Sequence, residues 1–189
     1  MIGNKLPGLR GQNMRGVRPK TTVSTYSFPP GSYTWTCPRS GRWRFVLWGG
    51  GGTGNSGSGQ HGGSGAYYEA ERNLVKGQGV VVSVGASDQN TSVAMPNGEL
   101  LTANGGSLNT AATASPTVGT DIAYAGSAPG VAGLGPGGGA ASSGGGAPGT
   151  LFYRGGSGGL PGRSPGGGGN AQQTTNGGSG QVLIVPVRV

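Results

Sequence analysis

The placement of glycine constrains this chain more than any other feature. Residues 49–65 hold ten Gly in seventeen positions, and residues 126–180 hold 23 in 55. Gly brings no side chain to a core and loses more backbone entropy on folding than any other residue. A thick hydrophobic core is therefore excluded from both stretches, which leaves disorder or order by some other means. With 46 Gly and 13 Pro among 189 residues, the chain passes the level of roughly 25–30% at which aperiodic Gly/Pro sequences are low complexity. Three observations favour order. The closing QVLIVPVRV (181–189) would be a sticky orphan unless the preceding residues returned it to a sheet. The second tract carries isolated apolar residues (Val131, Leu134, Leu151, Phe152, Leu160) instead of polar filler. Charge, which keeps disordered chains in solution, is only 10% of residues. An ordered Gly tract must pair its amides, because packing cannot stabilise it. Threefold extended polyglycine helices do this: like polyproline II they lack internal hydrogen bonds, and they bond N–H to C=O laterally. That is the expectation for 126–180. The pattern is not a strict Gly-X-Y, so a collagen triple helix fits poorly.

Elsewhere the periodicity is that of strands. Thr22–Phe28 is strand-like and Pro29-Pro30-Gly31 stops it in a turn. Ser32–Thr36 resumes with Tyr33 and Trp35 on one face. In Arg42–Trp48 the set Trp43/Phe45/Leu47 is uniformly apolar against Arg42/Arg44/Val46/Trp48, a period of two. Ala66–Glu71 sets Ala66/Tyr68/Ala70 against Tyr67/Glu69/Glu71, which predicts one wet face. The Val density of Val80–Val84 predicts a buried strand, and Leu100–Ala103 is a weaker one. Val182–Val189 is apolar on both faces and is expected to be central or in a subunit contact made by Val182, Ile184 and Val187. No 3.6-residue period occurs, so the fold class is all-β. Two units are expected: a basic extended arm over 1–20 and a glycine-rich β domain over 21–189.

The charge is asymmetric. The net charge is +8, eight of the thirteen basic residues lie in the first 44 positions, and no acid precedes Glu69. Lys5, Arg10, Arg15, Arg18 and Lys20 are interleaved with Leu6, Leu9, Met14 and Val17. Nucleic-acid tails usually lack such apolar anchors, so the arm is read as docking onto another protein and ordering as it docks. Phosphate binding is the competing reading. The rest of the chain balances five cations against five acids, which argues against a broad phosphate-binding face. Arg39, Arg42 and Arg44 carry the charge into the first strands, where Arg42 and Arg44 would flank the docking surface. The N-terminal segment lacks the apolar run of a signal peptide, and nothing approaches the ~18 apolar residues of a membrane span.

Catalytic chemistry finds little support. Gly57–Gly62 satisfies G-x-G-x-x-G, but no helix is expected after it to face phosphates, and the match is a chance one in so Gly-rich a stretch. His61 is the one imidazole and Cys37 the one thiol, so neither a multi-histidine metal site nor a thiolate cage is available. Glu69 and Glu71 share a strand face, as paired acids for glycoside chemistry can, but a solvated face is the plainer reading. No enzyme activity, cofactor or metal is expected. His61, Tyr124, Phe152, Tyr153 and Arg154, in or beside Gly tracts, are candidates for receptor contact, since aromatic faces bury much area; the aromatics could equally pin the loops to the core.

In order and spacing these pieces resemble the glycine-rich domain of bacteriophage tail and fibre proteins. The resemblance runs over about residues 26–187. It begins at Tyr26-Ser27-Phe28-Pro29-Pro30-Gly31-Ser32-Tyr33-Thr34-Trp35, and Phe45-Val46-Leu47-Trp48 enters Gly49-Gly50-Gly51-Gly52. Gly62-Gly63-Ser64-Gly65-Ala66-Tyr67-Tyr68 then leads to Val80–Gly85. Thr91-Ser92-Val93 and Leu101–Gly106 follow, and Gly178-Ser179-Gly180-Gln181-Val182-Leu183-Ile184 closes it. The resemblance implies a small β-sandwich, jelly-roll-like, with long Gly loops, in a virion component that is often trimeric and in some cases binds host surfaces. The expected function is a tail-fibre or tail-tip protein anchored by residues 1–20, made in the host cytoplasm and carried on the particle. A head fibre or capsid decoration protein shares the same plan.

Overall fold

A computed structural model of the protein describes residues 24–128, 164–167 and 175–187. Nine strands follow one another as β1 (Tyr26–Phe28), β2 (Gly31–Thr36), β3 (Gly41–Trp48), β4 (Tyr67–Leu74), β5 (Gly79–Val84), β6 (Thr91–Ala94), β7 (Leu100–Ala103), β8 (Ile122–Tyr124) and β9 (Gln181–Pro186). There is no helix among the described residues. The strands form two antiparallel sheets, β1-β9-β3-β4-β8 and β2-β5-β6-β7, packed face to face as a small β-sandwich. The Pro29-Pro30 turn does not make a hairpin: β1 and β2 belong to different sheets, and the chain turns a corner between them at Gly31, whose φ is +139°.

The core follows from the alternation in β3. Trp43, Phe45 and Leu47 point inward and are almost completely buried. Opposite them lie Trp35, Val80, Val82, Val93 and Leu101 from the other sheet. Trp35 and Trp43 meet edge to face at 5.0 Å, with Tyr26 5.3 Å from Trp35, a geometry favoured by ring quadrupoles. β9 lies between β1 and β3, so the closing hydrophobic segment is a central strand. Val182 and Ile184 are 0% exposed within this core. A subunit contact through these two side chains is therefore excluded, because their own sandwich already encloses them. Val187 is half-buried just beyond the strand and donates its N–H to the Arg42 carbonyl at 2.9 Å.

Two other expectations need correction. β5 is not buried on both sides: Val80 and Val82 face the core, while Val81 is 47% exposed. The outward face of β4 is wet only in part. Tyr67 packs with Val46, Trp48 and Leu183 in a second apolar cluster on the outer face of the larger sheet. Glu69 and Glu71 fulfil the wet-face reading further along.

One cation lies on the inward side of β4. Arg72 donates to Glu99 at 2.9 Å and to both Asp121 oxygens at 2.7 and 2.6 Å. The Tyr68 hydroxyl also donates to Asp121, at 2.7 Å. This clamp joins β4 to the β6–β7 turn and to the residue preceding β8. The Arg72 hydrogen bonds hold the Glu99 carboxyl below its ordinary value. Burial pushes the Asp121 carboxyl up, but hydrogen bonds from Arg72 and Tyr68 outweigh it and the net shift is downward.

Candidate functional site

β3, β5, β7 and β8 end, and β4, β6 and β9 begin, at one end of the sandwich. There the loops 49–54, 62–66, 85–90, 104–112, 126–127, 164–167 and 175–180 meet. Each lacks the side-chain bulk to pack, so its amides must be satisfied by neighbours. The donors of residues 49–54 go out in strict rotation. Gly49 and Gly52 donate to Ala66 and Gly63, and Gly51 and Gly54 donate to Gly178 and Thr175. Gly50 donates to the Gln89 carbonyl and Thr53 to the Asp88 carboxylate. Every third residue thus faces the same neighbour. The next segment repeats the rule: Gly63 and Ala66 donate to Ser107 and Asn104, while Ser64 donates to Ser127 and Gly65 to Gly166.

A β-strand bonds two neighbours with a period of two. A period of three with three bonding directions is that of polyproline-II-type helices lying side by side. The neighbours run antiparallel, since rising donor number meets falling acceptor number in each pair. Only glycine permits the spacing. A Cβ on Gly50 would lie 1.9 Å from the Ala86 carbonyl oxygen, and one on Gly51 2.1 Å from that of Gly167. One on Gly65 would lie 2.1 Å from the Gly49 oxygen. Cα–H groups therefore face carbonyls where side chains would stand, a weak but recurrent hydrogen bond. Small hydroxyls finish the pairing. Ser87 Oγ donates to the Gly51 carbonyl and accepts from the Gly177 N–H, both at 2.9 Å. Buried Thr91 accepts from the Gly85 N–H, and buried Ser64 from the Ser127 N–H.

Polyglycine order was expected over 126–180. Of that stretch 126–128, 164–167 and 175–180 are described, and Gly126, Ser127, Ser164, Gly166, Gly167, Thr175 and residues 177–180 make hydrogen bonds within the bundle. The clearest threefold segments are those of the first tract, 49–54 and 63–66. The Gly57–Gly62 match lies across an exposed tip closed by the Asn55–Gln60 bridge, and an extended segment follows it.

The candidate contact residues divide accordingly. His61 is half-buried at the base of this tip, and its carbonyl accepts from the Asn109 N–H. Tyr124 is 41% exposed on the outer face of the larger sheet, near the bundle, with its ring 6.1 Å from Tyr67. Phe152, Tyr153 and Arg154 lie outside the described residues, as do the arm positions Lys5, Leu6, Leu9, Arg10, Arg15, Arg18 and Lys20.

The charged face lies nearer the other end. Arg42 pairs with Glu71 at 2.8 Å, and Arg44 with Glu71 at 2.7 Å and Glu69 at 3.3 Å. Its hydrogen bond to Glu71 raises the Arg44 guanidinium above the usual arginine value. These groups, with Thr120 and Ile122, line a shallow depression of about 270 Å³. Tyr67 donates to Glu69, and burial in the first place pushes its hydroxyl pKa up. Arg42 and Arg44 are thus paired with the two carboxylates the sequence singled out. Arg39 lies over the Trp43 ring at 5.7 Å. Among the described residues no group of three His, Cys, Asp or Glu gathers to hold a metal ion, and no helix is long and apolar enough to cross a membrane.

No protein-family model and no curated protein matches the sequence.

Proposed function

We propose that this chain is a structural protein of a bacteriophage particle, a tail-fibre or tail-tip component that presents the glycine bundle outward. The observation that carries this reading is the polarity of the sandwich. Tyr26 and Phe28 of β1 pair with Ile184 and Val182 of β9, so the chain enters at the end opposite the bundle. An anchor preceding residue 24 would hold that end and direct the bundle, with His61 and Tyr124, away from the attachment point. The bundle suits display because its shape is set by backbone pairing, leaving the tip at 55–60 and nearby aromatics to make contacts. The resemblance to phage glycine-rich domains supplies the biological setting. It also supplies the expectation of a homo-oligomer, with a trimer as the form common in that family. A head fibre or capsid decoration protein has the same plan and differs only in where the anchor docks.

Nucleic-acid binding is the weaker reading. Of the five described cations, Arg42, Arg44 and Arg72 are engaged by carboxylates and Arg39 lies over Trp43; with Lys76, in the turn after β4, they do not form an open basic stripe. The anchor role is tested by deleting residues 1–20 and measuring incorporation into particles. The truncated protein is expected to fold and to be lost from particles. Incorporation at the normal level would refute the anchor, and gold labelling of the full chain on particles separates tail from head.

A further inference from the structure

Strand edges are normally guarded by shortness, charge, proline or a covering loop. Among the described strands β1 and β8 are edges of three residues and β7 is an edge of four. β2 is an edge of six, and Ser32–Thr36 holds neither charge nor proline. The Cys37 N–H donates to the Gln78 carbonyl at 2.8 Å, so odd-numbered residues here turn their backbone groups toward β5. By alternation Ser32, Thr34 and Thr36 turn theirs to the open edge, and all three residues are exposed. The outer face that β2 borders is also uncharged. Thr34, Val81, Ala94 and Leu100 stand in one cross-strand row, and Ser32, Ser83, Ser92 and Thr102 in the next. In a chain of net charge +8, this is a face on which a second copy meets no repulsion.

We infer that β2 pairs antiparallel with β2 of a second copy across a twofold axis at Thr34. The strand is a chemical palindrome about that residue: hydroxyl, aromatic, hydroxyl, aromatic, hydroxyl over Ser32-Tyr33-Thr34-Trp35-Thr36. Antiparallel pairing centred there sets Thr34 against Thr34, Ser32 against Thr36 and Tyr33 against Trp35. Hydroxyl pairs and aromatic pairs are both favourable cross-strand partners. The outward N–H and C=O groups of residues 32, 34 and 36 then exchange about six hydrogen bonds, since each facing pair of that type exchanges two. The smaller sheet continues across the axis, its Tyr33–Trp35 pairs extending the core face. An isologous contact of this kind closes on itself instead of propagating. The inference does not depend on the proposed virion role, and the twofold dimer it gives replaces the trimer that the family resemblance alone suggests.

Sedimentation equilibrium of the full chain tests it, with three variants. The unaltered protein is expected to be dimeric. Thr34→Lys sets like charges opposite each other at the axis and is expected to weaken dimerisation by about tenfold or more. Thr34→Pro removes an N–H that points off the sheet, which an edge strand tolerates, and is expected to weaken it likewise. Ser83→Lys, on the same face but one strand inward, is expected to keep both fold and dimer. The inference is overturned by a monomeric unaltered protein, or by any oligomer that both Thr34 variants leave intact. Unfolding of the Thr34 variants would overturn it too, because it would show that the edge is not free.

Discussion

At the scale of single residues, the glycines of the first tract are not interchangeable. Gly51 lies where a Cβ would stand 2.1 Å from one carbonyl oxygen and 2.4 Å from its carbon, both backbone atoms that no rotamer change can move. Gly57, on the exposed tip, has only the Asn55 side-chain oxygen at 3.3 Å. Gly51→Ala should therefore cost about 3 kcal/mol or more, at or beyond the upper end of ordinary overpacking. Gly57→Ala should change stability by no more than about 0.5 kcal/mol, as surface substitutions do. Urea unfolding of the two variants decides it, and equal effects would show that the tract is not closely packed. The paired arginines differ in the same way. Arg44 is 46% exposed with its carboxylate partners on an open face, where ion pairs contribute less than about 1 kcal/mol. Arg72 and its partners are more enclosed, and the Asp121 side chain is 0% exposed.

At the scale of elements, Arg72 of β4 reaches across the sandwich to the β6–β7 turn, which belongs to the other sheet, and also holds the residue that leads into β8. Arg72→Ala would strand the buried Asp121 carboxylate and should cost about 3 kcal/mol. The carboxyls of Glu99 and Asp121 are shifted down in the folded protein. Their contribution is therefore complete above the ordinary values, 4.5 and 3.8, and is lost as pH falls below them. The urea midpoint of the unaltered protein should drop through that window, and that of Arg72→Ala should drop less. Equal pH slopes in the two proteins would contradict the clamp.

Strands were legible where alternation spans many residues, as in β3, because one face is uniformly apolar. β8 was not, since three residues carry no readable period and its definition comes from pairing with Tyr67–Glu69. The Val run of β5 misled for a related reason: Val81 has the composition of a buried residue and the position of an exposed one. The clamp left no local signal, because Arg72 and Asp121 are 49 residues apart. The polyglycine logic was legible for the longer tract, most of whose described residues do pair into the bundle, but was not extended to the first tract. Which Gly segments meet depends on the strands that deliver them: the 85–90 partner has a single glycine and the 104–107 partner only the pair Gly105-Gly106, too short to read as a tract.

At the scale of the whole molecule, the sandwich and the bundle do different work. The sandwich is stabilised by burying aromatic and branched side chains, and it gathers seven segments from four interstrand connections at one end. The bundle is held by amides in threefold rotation, with side chains largely absent, and can keep a fixed surface only if those amides stay bonded. The proposed anchor and the proposed dimer edge draw on other residues than the bundle, so the three proposed roles are assigned to separate parts of the sequence.

Residue-resolved hydrogen exchange tests this most directly. The account predicts that amides of 49–54 and 63–66 exchange as slowly as those of the neighbouring strands β3 and β9, while those of Ser58 and Gly59 at the exposed tip exchange quickly. Exchange of the 49–54 and 63–66 amides as fast as the tip, with β3 and β9 still protected, would contradict it.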